Sequence, residues 1–208
     1  MSELTRAFGS TDSLGESDQL VYRLREGDEQ AFVEAFHLYK DFIYTLAFKL
    51  LNDKTEAMDV TQEVFVTLFR KVGAFRGDSS LKTWLYRVAI NQATNRNRWW
   101  KRRFQQRTLS LDLSSHNLLA KPTYLKSYAA SPAGECYSRE LRQALQQSLQ
   151  RLSFDQRVAV TLRDVEGLTY EEIAELTSAN VGTVKSRIAR GREKLRRLLR
   201  PYRKGLGE

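Results

Sequence analysis

Cysteine is almost missing from this chain, which has one, Cys136, and histidine is nearly as scarce, with only His37 and His116. A lone cysteine excludes an intramolecular disulfide and fits a reducing compartment. With two scattered histidines it forms no cluster of metal-ligand spacing, so neither a metal nor a cofactor is expected. No apolar run is long enough to cross a bilayer, and the opening "MSELTRAFGSTDSLGESD" lacks the charged start, apolar stretch and cleavage site of a secretory signal. The expectation is a cytoplasmic protein without membrane insertion. Strand patterns are absent as well, and of the three prolines two, Pro122 and Pro132, fall close together.

What is abundant is charge, and it is placed unevenly. The formal balance is +9, yet residues 1–66 hold 13 acids against 6 bases, while residues 67–208 hold 12 acids against 28 bases. Such asymmetry points to two kinds of partner, a polyanion for the basic part and something else for the acidic part. The length of 208 residues allows one large or two small domains, and 41% hydrophobic content is enough to build cores.

Residues 1–17, rich in Ser, Gly and Thr, read as a mobile tail. From Asp18 the spacing is helical, with Leu20, Val21 and Leu24 on one face. A longer second helix follows, with Phe32, Phe36, Tyr39, Ile43, Leu46, Ala47 and Leu50 on its apolar face. A third helix, residues 55–72, buries Val60, Val64, Leu68 and Val72. After the loop "GAFRGDSS", whose glycines permit tight backbone and whose serines can cap, a fourth helix turns Leu81, Trp84, Leu85, Val88 and Ala89 inward. Periodicity fades over residues 108–135, a linker that as extended chain reaches about 90 Å. Four helical segments follow, over residues 136–152, 154–165, 170–176 and 181–199, with residues 201–208 as a tail. The fold class is all-α, two small helical domains over residues 18–107 and 136–200 joined by a flexible linker.

The C-terminal domain carries a helix-turn-helix. In "TYEE" Thr169 can cap a helix while Glu172 reaches back to complete a capping box. Ile173 and Ala174, the short break "TSAN", then Val184 and Ile188 give two helices an apolar seam. The second helix opens with Gly182 among β-branched residues and then spreads ten basic side chains from Lys185 to Lys204 against one acid, Glu193. Pushed into a major groove, its start brings free N–H groups to phosphate, Gly182 permits close approach, and Thr183, Lys185, Ser186, Arg187 and Arg190 meet base edges or backbone. Arg192, Lys194, Arg196 and Arg197 read as phosphate contacts.

The N-terminal domain has a second basic surface. From Arg87 to Arg107 there are seven arginines and lysines and no acid, with Trp99, Trp100 and Phe104 interleaved, a composition suited to single strands or duplex edges. Trp84 reads as core. On the third helix "EAMDVTQEVF" sets Asp59, Gln62, Glu63 and Val66 on one face, a stripe that periodicity alone assigns to solvent and that does not suit DNA. No enzyme is expected. Asp59 and Glu63 have a spacing that can hold a metal, but no histidine joins them, and Cys136 lacks a nearby base.

Together "DVTQEVFVTLFRKVGAFRGDSSLKTWLYRVAINQATN" and "LSFDQRVAVTLRDVEGLTYEEIAELTSANVGTVKSRIARGREKL" resemble the extracytoplasmic-function (ECF) group of bacterial sigma factors, covering residues 18–107 as region 2 and 136–200 as region 4. The resemblance implies a dissociable, non-catalytic subunit of RNA polymerase that supplies promoter recognition and melting. It implies that Asp59, Gln62 and Glu63 dock on the clamp helices of the largest subunit, and that region 4 meets the flap of the second subunit. Arg76, Asp78, Ser79, Asn91, Asn95 and Arg98 then handle the minus-10 element of promoter DNA, where a base leaves the stack. Thr183, Lys185, Ser186, Arg187 and Arg190 read the minus-35 element. An anti-sigma protein is a further partner implied by the resemblance. Where members often carry proline, this chain has Asn180, which can cap the helix instead. The rival reading is a polymerase-independent helix-turn-helix repressor or activator, a symmetric dimer on a palindrome.

Overall fold

A computed structural model describes residues 12–75, 77, 79–107 and 132–203. Among them the regular elements are all helical. The N-terminal unit comprises α1 (Asp12–Arg25), α2 (Glu29–Leu51), α3 (Lys54–Lys71) and α4 (Leu81–Arg107). The C-terminal unit comprises α5 (Pro132–Gln150), α6 (Phe154–Val160), α7 (Tyr170–Thr177), α8 (Val181–Leu198) and α9 (Arg200–Arg203). Most of the expected linker, residues 108–131, and the outer parts of both tails lie outside the described residues.

Two boundaries differ from the sequence reading. Helix α1 starts at Asp12, inside the stretch expected to be tail, because a helix held at Leu20 and Leu24 extends upstream at one hydrogen bond per added residue. Helix α5 starts at Pro132 rather than near Cys136; a proline that looked like a linker mark serves as a helix opener, where its missing N–H has no partner to lose. The segment expected as one helix over residues 154–165 is α6 followed by a π turn, Thr161–Val165.

In the N-terminal unit α2, α3 and α4 pack around Ile43, Leu46, Leu50, Val60, Val64, Leu68, Leu85 and Ala89, with Leu20 and Leu24 of α1 closing one side. The caps are local. Asp28 accepts from the backbone of Gln30 and Ala31 to start α2, and Asp53 accepts from Glu56 to start α3. On α2 the buried positions include Ala31 and Ala35, which let the helices approach, whereas Phe36, expected inside, is exposed. Trp84 is half-buried against the core, edge-on to Phe75.

In the C-terminal unit, α6 and α8 cross where Gly191 has no side chain: a Cβ there would lie 2.6 Å from Val160 Cγ2. This crossing, with Val184 and Ile188 buried, fixes the azimuth of α8 and hence what it displays. The two units are also in contact. One apolar cluster runs from Leu20 of α1 to Ile188 of α8, so the linker joins halves that close on each other rather than halves held apart.

Candidate nucleic-acid and polymerase interfaces

The helix-turn-helix forms as its sequence indicates. Glu172 N–H donates to Thr169 Oγ1 (3.2 Å), and the Glu172 carboxylate accepts from Thr169 N–H (2.7 Å), completing the capping box of α7. The turn is a Schellman arrangement with serine in the usual glycine place: Ser178 has φ 50, and the N–H groups of Ser178 and Ala179 donate to Glu175 and Ala174 carbonyls. Asn180 then caps α8, its side chain accepting from Thr183 N–H at 2.7 Å, so the boundary survives without proline.

Around α8, at about 100° per residue, Thr183, Ser186, Arg187 and Arg190 share one face, which Lys194 and Arg197 continue. Ser186 and Arg190 are exposed, Thr183 and Arg187 partly so. Lys185 lies on the other flank with its ammonium 5.5 Å from the centre of the Tyr170 ring, so the five expected residues form a stripe of four with one beside it. Ser186 Oγ donates to the Thr183 carbonyl (2.9 Å), and Arg187 pairs with Asp155 of α6 at 2.9 Å. Arg192, expected as a phosphate contact, is bound by Asp164, whose hydrogen bonds raise its pKa. At Gly182 a Cβ would meet only Asn180 Oδ1 at 3.5 Å, so the fold itself does not require glycine there.

On α4, Asn91, Asn95 and Arg98 are exposed at i, i+4 and i+7, a single face lining one cleft. Ser79 lies in the preceding loop, and Ser80 caps the helix through Thr83 N–H at 3.1 Å. Arg76 and Asp78 lie outside the described residues. Trp99 is 42% exposed and carries the Arg103 guanidinium 4.9 Å above its ring, while Trp100 turns inward and donates its indole N–H to Glu56 at 3.2 Å. The adjacent tryptophans thus divide: one for the surface, one holding α4 to α3.

The acidic stripe of α3 is not simply solvated. Arg96 of α4 reaches Glu56 (3.1 Å), Asp59 (3.6 Å) and Glu63 (3.0 Å). Gln62 is exposed beside them, and the same face continues into Val66 and Phe69, both exposed. Phe69 meets Phe32 and Phe65 meets Phe36, so acid and amide groups grade into an aromatic patch, the composition of a partner surface rather than a DNA surface. Among the described residues no group of three or more His, Cys, Asp or Glu could hold a metal ion, and no helix is long and apolar enough to cross a membrane.

Arg157 was missed by the sequence reading. Its buried guanidinium donates to the carbonyls of Leu149 (2.9 Å), Gln150 (2.9 Å) and Leu152 (3.4 Å) and to that of Leu50, capping the ends of α5 and α2 together. Burial pulls its pKa down to about 10, which leaves it charged at neutral pH. The available signal was a basic residue at the helical spacing of the core, three after Phe154. The exposed Phe69 has no such local mark, since an outward aromatic on an amphipathic helix is spelled like an inward one.

Family models for sigma-70 region 2 and sigma-70 region 4 match residues 35–104 and 142–195. The RNA polymerase sigma-H factor of Pseudomonas aeruginosa is 37% identical over 186 residues, covering 89% of this chain and 95% of the relative. The ECF RNA polymerase sigma-E factor of Escherichia coli K12 is 36% identical, covering 88% and 93%. Among solved structures, the sigma factor RpoE in complex with the anti-sigma factor NepR from Bartonella quintana superposes with a TM-score of 0.63 at 25% identity, covering 81% of this chain and 96% of that one.

Proposed function

The chain belongs to the extracytoplasmic-function group of sigma-70 factors, and from that premise we propose which of its surfaces performs each part of the work. As a sigma factor it binds core RNA polymerase and directs promoter recognition and transcription initiation. In this reading the chain acts by binding alone, without catalysis, in the cytoplasm.

Region 4 takes the minus-35 element. The α8 stripe of Thr183, Ser186, Arg187 and Arg190 faces bases in the major groove, Lys185 reaches the flanking backbone, and Lys194 and Arg197 follow the phosphates. Region 2 takes the minus-10 element: Asn91, Asn95 and Arg98 of α4, with Arg76, Asp78 and Ser79 before it, hold an unpaired base and its strand, and Trp99 offers a stacking face. Capture of unpaired bases favours melting without nucleotide hydrolysis. The polymerase clamp meets Asp59, Gln62 and Glu63 with Val66 and Phe69, and region 4 meets the flap. An anti-sigma protein is the further partner, by analogy with the NepR complex. Domain limits are residues 18–107 and 136–200, with α1 and α5 extending beyond them.

The observation that carries this reading is the separation of two faces on one unit: Arg96, which binds the acids of α3, lies about 140° around α4 from the face that carries Asn91, Asn95 and Arg98. Gln62 tests it, because it is exposed and leaves the Arg96 cluster untouched. Gln62→Arg is expected to fold normally and to lose co-purification with core polymerase. Undiminished co-purification would return this face to solvent.

A further inference from the structure

Residues 76–79, to which the unpaired minus-10 base was assigned, run between two anchors that are built differently. On the far side Ser80 caps α4: its Oγ accepts from Thr83 N–H (3.1 Å) and bonds to Thr83 Oγ1 (2.9 Å). On the near side a 3-10 turn, Val72–Ala74, ends at Phe75, whose N–H donates to the Val72 carbonyl (3.0 Å). Phe75 is buried and meets Trp84 edge-on, with ring centres 6.2 Å apart. The turn itself leaves the Phe75 carbonyl unused.

That carbonyl is taken by a side chain from another helix. Arg25, in the last turn of α1, donates from Nη2 to it and sets its guanidinium 5.9 Å from the centre of the Phe75 ring. One group thus holds both the backbone and the ring of the residue from which the loop departs. At Gly77, where φ is 83, a Cβ would lie 4.0 Å from Arg25 Nη2, so the same guanidinium borders the left-handed turn inside the loop. The helix that delivers Arg25 is fastened beside it. Leu24 is buried in the core with Leu20 and Val72, and Arg23 pairs with Asp28 and Glu34, both at 2.8 Å. The two arginines of this turn therefore divide: Arg23 ties α1 to α2 through acids, and Arg25 gives its guanidinium to a residue 50 positions away. Arg25 is itself exposed, so the bond adds little to the stability of the unit. What it decides is where the loop begins.

A site that reads one base must hold its donors and acceptors to within a fraction of an ångström, and a loop does so only when both ends are fixed. We propose that Arg25 is a positioning residue for minus-10 recognition: by fixing Phe75 it sets the start of the loop that receives the unpaired base, so α1 takes part in promoter choice without touching DNA. This rests on the assignment of Arg76, Asp78 and Ser79 to that element. A planar guanidinium offers N–H groups at its edge and a flat face for a ring, a combination that a lysine ammonium does not reproduce. Without it the loop keeps its Ser80 end and loses its Phe75 end, and the preferred base is no longer told apart from its competitors.

Initiation by the full-length chain with core polymerase, on promoters that carry each base in turn at every minus-10 position, tests this. Arg25→Ala is expected to lower the preference for the best base about three- to tenfold at the position read by the loop. Preference at the minus-35 element, the unfolding midpoint and co-purification with polymerase should stay as in the wild type. Arg25→Lys, which keeps the charge, should recover the lost preference only in part. Lys71→Ala, an exposed control on α3 with the same loss of charge, should leave the profile unchanged. Equal weakening of every sequence in Arg25→Ala, with full recovery in Arg25→Lys, would make Arg25 a phosphate contact and overturn the proposal. An unchanged profile in Arg25→Ala would overturn it too. Should Arg25→Ala fail to fold, Arg25→Lys decides: relaxed preference at one position supports the role, and a wild-type profile removes it. A wild type with no minus-10 preference would reject the promoter assignment of the loop itself, and the positioning role with it, whereas a selective wild type beside an equally selective Arg25→Ala rejects the positioning role alone.

Discussion

Arg96 in region 2 and Arg187 in region 4 are equally covered, with 28% and 29% of the side chain exposed, yet they are held differently. Arg96 serves three acids, one of them, Glu56, only 14% exposed, and so neutralises a stripe that would repel itself. Arg187 has one partner, Asp155, itself 61% exposed. An exposed single pair is worth about 0–1 kcal/mol and exchanges readily for a phosphate or a base, whereas a shared guanidinium is structure. On the roles proposed above, what separates the structural Arg96 from the DNA-contacting Arg187 is the number and burial of the acids each holds, not its own exposure.

Arg157 extends the comparison to a guanidinium that holds carbonyls instead of acids, and its loss should be the largest effect. Arg157→Ala removes a buried donor from four carbonyls, of which Leu149 keeps the Leu152 N–H, and is expected to destabilise region 4 by about 3 kcal/mol in chemical unfolding. A loss below about 1 kcal/mol would mean that water replaces the guanidinium there. Arg96→Ala should cost about 2 kcal/mol, discounted for partial exposure, and should also weaken polymerase binding by freeing Asp59 and Glu63 from their set positions. If stability were unchanged, Arg96 would belong with Arg187, and the contrast would fail. Asp155→Ala should be the smallest: within about 0.5 kcal/mol on unfolding, with binding of a minus-35 duplex equal to or slightly tighter than wild type in a fluorescence anisotropy titration. Markedly weaker DNA binding would show that Asp155 orients Arg187 for its task.

The same contrast explains what the sequence made legible. Helix-turn-helix geometry is local: Thr169, Glu172, Asn180, Val184 and Ile188 lie within twenty residues, and each obeys a capping or spacing rule that needs no tertiary partner. The expected face of α8 followed, apart from Lys185, because a list of polar residues does not by itself say which flank each occupies. The acidic stripe was visible by its periodicity, but not Arg96, which reaches it from another helix, 33 residues on from Glu63. Glu166 and Gly191 were illegible for the same reason. One is an acid in a turn whose partners, Lys49 and Tyr86, sit 117 and 80 residues away, and the other a glycine in a basic helix whose meaning is the proximity of Val160. Pro132 shows the converse: proline breaks a helix interior and opens a helix start, and composition alone did not distinguish these positions.

Initiation in vitro by core RNA polymerase over a randomised promoter library, with and without this chain, tests the central claim most directly. The account predicts start sites that depend on the added chain, with sequence preference at both elements and relaxation of one minus-35 position in Arg190→Ala. Starts that are absent or indifferent to sequence, together with tight binding of the chain alone to a palindrome, would contradict it.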